Sequence, residues 1–477
     1  MDLATAKKSA APATASNAEL FAALWGVYLL LHELKQVPWP EDISSVLVAV
    51  RVVNVLLGLA LICWPHRAQW LAAVSLAHIV SVSIELPAMS NCWLFSGLLS
   101  VGILGTLAMT AVRLGRWQVA TKEAYQTLSP TLRWSLIVLY LFAALAKYNW
   151  DFFDPQQSCA AYFFRIFAQS ARIENVGNWL GQVSIIGTLV FETGLPILFC
   201  FSFGRRYAIV VGLAFHTFLA HNHNLSVYDF NAMLAALYVT FLPPEYVGSL
   251  RETADTAWAF QIARNRQWIF LGLVLLSLVI VLATVGTAYE RTVLWRYRIC
   301  LWFILGVMMT IIAARTLFGR ERITGDLIRP FRWPSWLGWL AIILISLNGA
   351  APYLGYKTAV AYTMYSNLRT ENRLENHLFI PAWLRIGRYQ DNLVKIESSS
   401  AATLSRLAEQ GEMLVLHDLR MLAAEHPEAS VNYELNGERR QVSCIGDDPL
   451  VGAPPCYWER KLLFFRTIPT RGQRCQW

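Results

Sequence analysis

A lysine at the end of a long apolar stretch is the side chain in this sequence best suited to proton transfer. Lys147 follows the apolar residues 139–146, and Asn149 and Asp151 come shortly after it. An ionisable group in or beside a membrane span is rare and commonly functional. An amine can act as a general base when removal from water lowers its pKa, although a lysine at a helix end also commonly anchors at the interface. Both interpretations remain open for Lys147 taken alone.

Other polar residues gather at the ends of neighbouring apolar stretches. They are Asn91, Cys92, Asn149, His216, His221, His223 and Asp229. If these ends lie on the same side of a membrane as Lys147, the side chains can shape a common pocket. His216 lies deepest of the three histidines and is the second candidate for proton transfer. Because the histidine spacing is not that of a metal site, we predict no bound metal.

One carboxylate lies within a predicted span rather than at its end. Glu192 is near the middle of an apolar stretch, where an unpaired charge is costly. Glu192 is therefore expected to be protonated or paired, with Arg51 in the second apolar stretch as a candidate partner. We also expect Glu192 to help shape the pocket. His78 and Glu85, seven residues apart in the third stretch, are expected to form interhelical hydrogen bonds.

The composition is that of a polytopic membrane protein. Of 477 residues, 56% are hydrophobic and 15% are charged, whereas roughly a quarter of the residues in a soluble domain are charged. About eleven apolar segments approach the roughly 20 residues that span a bilayer. They lie at 19–37, 43–64, 68–88, 92–112, 131–150, 178–203, 206–222, 228–243, 267–288, 296–315 and 335–354. The predicted fold class is an all-α membrane protein with a small C-terminal α+β domain.

The distribution of charge predicts the orientation in the membrane. Basic residues dominate the loops on one side, at Arg67, Arg113, Arg116, Lys122, Arg205, Arg206, Arg315, Arg320, Arg322, Arg329 and Arg332. The positive-inside rule then places segment 1–18 in the cytoplasm. Arg291, Arg296 and Arg298 fall on the opposite side and count against this orientation. The net charge of +8 mostly reflects the loop bias, so we expect the bilayer, and no nucleic acid, as a partner.

Composition changes after residue 355, where apolar spans give way to a mixed, charged stretch. We predict a membrane domain over 19–355 and an exterior domain over 356–477. A short helix is expected over 401–411, and Asn436 with Gly437 is a strong hairpin signal. Since an odd number of spans places this domain outside the cell membrane, where disulfides form, Cys444 and Cys456 are the preferred disulfide pair.

Three separated blocks resemble the HTTM superfamily, which is the membrane domain of vitamin K-dependent gamma-carboxylase and its bacterial relatives. The blocks are 90–99, 144–151 and 215–244, within a similarity over roughly residues 40–250. The resemblance implies a bacterial inner membrane and a role for Lys147 as the base that deprotonates a reduced quinone. It thus allows a lipid-soluble quinol cosubstrate, whereas the residues themselves indicate no cofactor.

The chain departs from this family at one position. Where the family block carries histidine after asparagine, this chain has Cys92, which is a weak hydrogen-bond donor. The resemblance therefore does not extend to glutamate carboxylation. A further segment, 362–378, resembles bacterial membrane proteins of this type without indicating a chemistry.

Two hypotheses follow from the sequence. The first is a membrane enzyme that uses a lipid-soluble cosubstrate, with Lys147 as general base and with His216, Asn91 and Asn149 shaping the pocket. The second is a non-enzymatic scaffold or transport component, in which Lys147 anchors at the interface and the exterior domain binds an unidentified protein.

Overall fold

The computed structural model describes residues 16–36, 44–170, 177–221, 227–243, 246–247, 290–319, 332–470 and 475, with a few single positions between 265 and 275. Its first part consists of helices. They are α1 (Asn17–Lys35), α2 (Ser45–Cys63), α3 (Ala68–Glu85), α4 (Asn91–Leu114), α5 (Thr121–Leu145), α6 (Trp150–Phe153), α7 (Cys159–Ser170), α8 (Asn178–Cys200), α9 (Arg205–His221), α10 (Tyr228–Tyr238), α11 (Glu290–Phe318) and α12 (Trp336–Ala350).

Within the described residues, six helices are long and apolar enough to cross a membrane. They are α2, α3, α4, α5, most of α8 and most of α11. The predicted predominantly helical, membrane-type architecture is therefore confirmed. The count of about eleven spans is not confirmed, because α9, α10 and α12 have only 17, 11 and 15 residues. The span predicted at 267–288 lies almost entirely outside the described residues.

Helix α1 runs between the two ends of the helix bundle. At its first residue, the side-chain amide of Asn17 donates to the carbonyl of Pro243 (2.7 Å). At its last residue, Lys35 pairs with Asp229 at the start of α10. The C-terminal part of the chain covers the end that carries Lys35. We call this the capped end of the bundle, and the start of α1 lies at the opposite end.

Close contact between helices depends on small residues at one crossing. A Cβ atom on Gly26 of α1 would lie 2.8 Å from the carbonyl oxygen of Gly58 in α2. Glycine at both positions allows the two backbones to approach, as is common where membrane helices pack. The large side chains Trp25, Tyr28 and Trp93 fill the adjoining core and are completely buried.

The C-terminal region, residues 351–470, contains a five-stranded antiparallel sheet in the order β4-β3-β1-β2-β5. The strands are β1 (Leu393–Ser399), β2 (Glu412–Val415), β3 (Val431–Leu435), β4 (Glu438–Val442) and β5 (Ile468–Pro469), with helices α13 (Ala402–Gln410), α14 (Leu416–Glu425) and α15 (Tyr457–Leu462). The hairpin predicted at Asn436 and Gly437 forms between β3 and β4. Both residues have positive φ angles, 52° and 97°, as a two-residue I′ turn requires.

The predicted disulfide between Cys444 and Cys456 is wrong. Both cysteines are free and exposed; Cys444 directly precedes a 3₁₀ turn, and Cys456 directly precedes α15. The structure instead joins Cys159, at the start of α7, to Cys475, with the two Cα atoms 5.1 Å apart. These cysteines are 316 residues apart in sequence, so only the folded arrangement identifies them as partners.

A buried lysine in the C-terminal region predicts a pH-dependent stability. Burial lowers the pKa of Lys357 from 10.5 to about 8, and the residue is 9% exposed. In the unfolded chain Lys357 loses its proton near pH 10.5, whereas in the folded chain it loses it near pH 8. Between these pH values the unfolded chain holds a proton that the folded chain has released. The free energy of unfolding should thus rise between about pH 8 and pH 10.5, by roughly 3 kcal/mol in total.

Substitution of this lysine tests that expectation. Lys357→Met should stabilise the protein at pH 7 by a similar amount, because no buried charge has to form. Thermal unfolding of both proteins in detergent, at pH 7 and at pH 10, measures the difference. The stability gap between variant and wild type should shrink at pH 10, and an unchanged gap would contradict the assignment.

Candidate functional site

A cavity of about 350 Å³ lies between α5, α7, α8, α9 and α10, toward the capped end of the bundle. Its wall is mostly apolar and includes Leu139, Ala143, Phe152, Phe163, Phe164, Phe167, Val183, Phe191, Phe215, Phe218, Leu219 and Phe230. The volume lies within the roughly 300–1,000 Å³ usual for small-molecule sites. An apolar wall of this kind suits an apolar ligand.

The two candidate residues Lys147 and Glu192 meet at this cavity. Lys147 Nζ lies 2.6 Å from Glu192 Oε2 and also donates to the carbonyl oxygen of Ala143 (3.2 Å). The two residues are only 5% and 9% exposed. Lys147 therefore points into the bundle toward a carboxylate and does not extend to the interface.

His216 lies in the same wall, with its ring held by aromatic neighbours. Its Nε2 atom is 2.7 Å from the hydroxyl of Tyr140, and that hydroxyl also contacts the hydroxyl of Tyr238. Asn231 also lines the cavity, and its amide lies 2.8 Å from Trp302 Nε1. The sequence predicted His216 and Glu192 but gave no reason to choose Tyr140.

The cavity reaches the outer surface of the helix bundle on the side of α8 and α9. Val183, Phe191 and Phe218 line it, and these residues are 54%, 38% and 45% exposed on the bundle surface. Exposed apolar side chains on a membrane-spanning helix face lipid. The wall of the cavity is therefore continuous with the exposed apolar surface of α8, most of which is a candidate membrane span.

An irregular stretch of chain closes the cavity at the capped end. We call residues 358–368 the roof segment; its Tyr365 and the neighbouring Met364 line the cavity. Four non-glycine residues of this segment have positive φ angles: Val360 (54°), Tyr362 (60°), Tyr365 (55°) and Asn367 (59°). Such conformations are uncommon and cost on the order of 1–3 kcal/mol each. They persist only where the surroundings hold the backbone firmly.

Asparagine side chains provide that hold. Asn91 Oδ1 accepts a hydrogen bond from the backbone of Tyr362 (2.7 Å), and Asn149 Nδ2 donates to the carbonyl of Ser366 (2.6 Å). Asn348 Nδ2 donates similarly to a roof carbonyl (3.0 Å). Asn91 and Asn149, expected to shape the pocket, are absent from its wall and instead fix its roof.

Cys92 and Asp229 belong to a separate buried cluster beside the cavity. His32 Nδ1 lies 2.8 Å and Lys35 Nζ 3.1 Å from the Asp229 carboxylate, while Cys92 Sγ is 3.8 Å from the same group. The ring of His32 stacks on Trp93 at 3.9 Å. The donor atoms of His32, Cys92 and Asp229 lie within 4.8 Å of one another and are types that zinc accepts. The ammonium of Lys35 already supplies positive charge to Asp229.

The proposed pairing of Arg51 with Glu192 is wrong. Arg51 Nη2 lies 3.3 Å from Glu85 and its Nε lies 3.9 Å from Glu33, so Arg51 joins α2 to α3 and α1. His78, expected to bond between helices, has ring nitrogens 3.2 and 3.3 Å from the hydroxyls of Ser96 and Ser100 in α4. Glu192 is instead paired by the lysine that the sequence had singled out.

One further predicted histidine, His221, lies away from this site. His221 packs its ring against Phe303, with centroids 4.5 Å apart, and it does not line the cavity. His223 lies outside the described residues. His32 and Lys35 were not predicted as site residues, although two ionisable residues in the last turn of the first apolar helix were a usable signal.

No protein-family model, no curated protein and no solved structure matches this chain.

Proposed function

We propose that the protein is a membrane enzyme of the HTTM type that binds a reduced quinone in the cavity and deprotonates it with Lys147. The supporting observation is the buried Lys147–Glu192 pair, 2.6 Å apart, beside His216 in an apolar cavity that reaches the lipid-facing surface. A quinol is apolar, enters from lipid and carries an acidic hydroxyl. These properties match the wall, the opening and the polar end of the cavity.

The ion pair gives the lysine a route to the neutral form. When an apolar ligand displaces water, the proton can pass from Lys147 to Glu192, because a buried neutral pair avoids the cost of two desolvated charges. The free amine then takes the proton of the quinol hydroxyl and becomes an ammonium ion beside the quinol anion. The attraction between the ammonium ion and the quinol anion is strongest where water is excluded. His216 and Tyr140 lie close enough to orient the same hydroxyl.

The capped end is proposed to face the exterior of a bacterial inner membrane. The Cys159–Cys475 disulfide belongs to this end, and disulfides persist in oxidising compartments. The basic loops that the sequence places inside agree with that orientation. The chain thus has its N-terminus in the cytoplasm and its C-terminal region outside.

Turnover of a quinol tests the proposed chemistry directly. The purified protein in detergent, supplied with a reduced quinone under oxygen, should oxidise it to the quinone, with two electrons and two protons passing to oxygen to give hydrogen peroxide. Lys147→Ala should lower this rate by about 10²–10⁴-fold. Quinol absorbance over time measures both rates. If the wild type shows no turnover, the proposed enzymatic function is wrong, and the hypothesis of a non-enzymatic binding protein remains.

Filling the cavity tests ligand binding without reference to turnover. A Cβ atom on Gly187 or Gly194 of α8 would meet no heavy atom within 4 Å, yet only Gly187 lines the cavity. Gly187→Phe should weaken quinone binding by roughly tenfold or more, at least about 1.4 kcal/mol. Gly194→Phe, the matched control, should bind like the wild type. Quinone extracted from each washed protein gives the bound amount, and equal amounts would exclude this cavity as the site.

A further inference from the structure

Two groups of large apolar side chains are exposed on the C-terminal region. The first comprises Phe379, Trp383 and Ile386, which are 67%, 79% and 73% exposed. The second lies on the short helix α15 and comprises Tyr457, Trp458 and Leu462, which are 57%, 67% and 53% exposed. Contiguous exposed apolar surface on a folded region commonly marks a contact with a protein or a membrane.

The first group lies at the level where α5 ends. His377 Nε2 is 2.9 Å from the carbonyl oxygen of Leu145, the last residue of that helix. The ring of Phe379 packs on Tyr148, with centroids 5.6 Å apart. Because α5 is long and apolar enough to span a membrane, this group lies beside the membrane boundary.

The second group lies at the same level over a different helix. Lys461 of α15 donates to the carbonyl oxygens of Ile84 and Leu86, both at 3.1 Å. These carbonyls are at the end of α3, which is also a candidate span. Helices α3 and α5 contact each other and both pack against α4, so the two groups lie over neighbouring helices.

We infer that both groups insert into the interface of the bilayer that the helices span, so that the C-terminal region lies on the membrane. Each group lies at the end of a helix that is long and apolar enough to span a membrane. Tryptophan and tyrosine favour this interface. The exposed basic side chains Arg388 and Arg460 lie beside the two groups and suit anionic lipid headgroups. This contact does not depend on the quinol chemistry.

Photo-crosslinking of the full chain in lipid nanodiscs tests this contact. Benzoylphenylalanine would replace Trp383 or Trp458 in discs of phosphatidylethanolamine and phosphatidylglycerol. Ile186, 60% exposed on α8, is the position expected to label lipid. Arg439 on β4, whose side chain is 79% exposed, is the water-exposed control. The chain just before β5 contacts the roof segment, since Phe464 O accepts from the backbone of Thr358. Strand β4 is the opposite edge of the sheet, roughly 19 Å from β5 at about 4.8 Å per strand.

Mass spectrometry of the irradiated protein identifies the adducts. Lipid adducts are expected at positions 383, 458 and 186 and not at 439. Labelling at 186 without labelling at 383 and 458 would overturn the inference. Adducts of 383 or 458 to protein alone would also overturn it and would favour a second chain as the occupant. An intact Cys159–Cys475 disulfide in each variant controls for folding.

Discussion

Lys147→Met should destabilise the protein by about 3–5 kcal/mol, and adding Glu192→Leu should restore most of that loss. Removing one member of a buried ion pair leaves an uncompensated charge, whereas replacing both members by apolar side chains is often neutral or stabilising. The Lys147 and Glu192 side chains are only 7% and 12% exposed, so water screens this pair little. Thermal unfolding of the single and double variants in detergent measures the effect.

The double variant also separates a catalytic lysine from a structural one. If Lys147 is the base, Lys147→Met with Glu192→Leu should fold like the wild type and yet lack quinol turnover. A double variant that folds and keeps wild-type turnover would assign the pair a purely structural role. Glu192→Leu alone should be destabilised as strongly as Lys147→Met, since it leaves the ammonium unpaired. Equal stability of all four proteins would contradict a close pair in the folded state.

The sequence could indicate the core of this site because its members are isolated polar residues on apolar helices. Lys147, Glu192 and His216 each stand out from an apolar background, and the structure brings all three to one cavity. What the sequence lacked was the partner of each residue. Spanning helices are apolar around much of their circumference, so no amphipathic stripe indicates which face meets which neighbour. For this reason Glu192 was matched with Arg51 instead of Lys147.

The parts that could not be predicted depend on contacts between distant segments. Asn91 and Asn149 were correctly singled out as polar residues at helix ends, but their partners belong to the roof segment. Asn91 and Tyr362 are 271 residues apart, and a stretch with positive φ angles at non-glycine residues has no local sequence signature. By contrast, the hairpin at Asn436 and Gly437 was predictable because its turn chemistry is local.

Arg51→Met should lower the free energy of unfolding by about 3–5 kcal/mol or more, because one cation serves two buried carboxylates. Arg51 contacts Glu85 at 3.3 Å and Glu33 at 3.9 Å, with side-chain exposures of 8%, 11% and 1%. Other donors remain: Asn54 bonds Glu33 at 2.7 Å, and Trp93 bonds Glu85 at 3.3 Å. These neutral donors supply no positive charge, so the loss should be comparable to that expected for Lys147.

A second arginine provides the matched comparison. Arg116 pairs with Glu123, but their side chains are 54% and 36% exposed, and exposed pairs contribute about 0–1 kcal/mol. Arg116→Met should therefore unfold within about 1 kcal/mol of the wild type, while Arg51→Met unfolds at a much lower temperature. Arg51→Lys should recover only part of the loss, because an ammonium group lacks the planar fork that reaches two carboxylates. Similar unfolding of Arg51→Met and Arg116→Met would mean that Arg51 does not hold α1, α2 and α3 together.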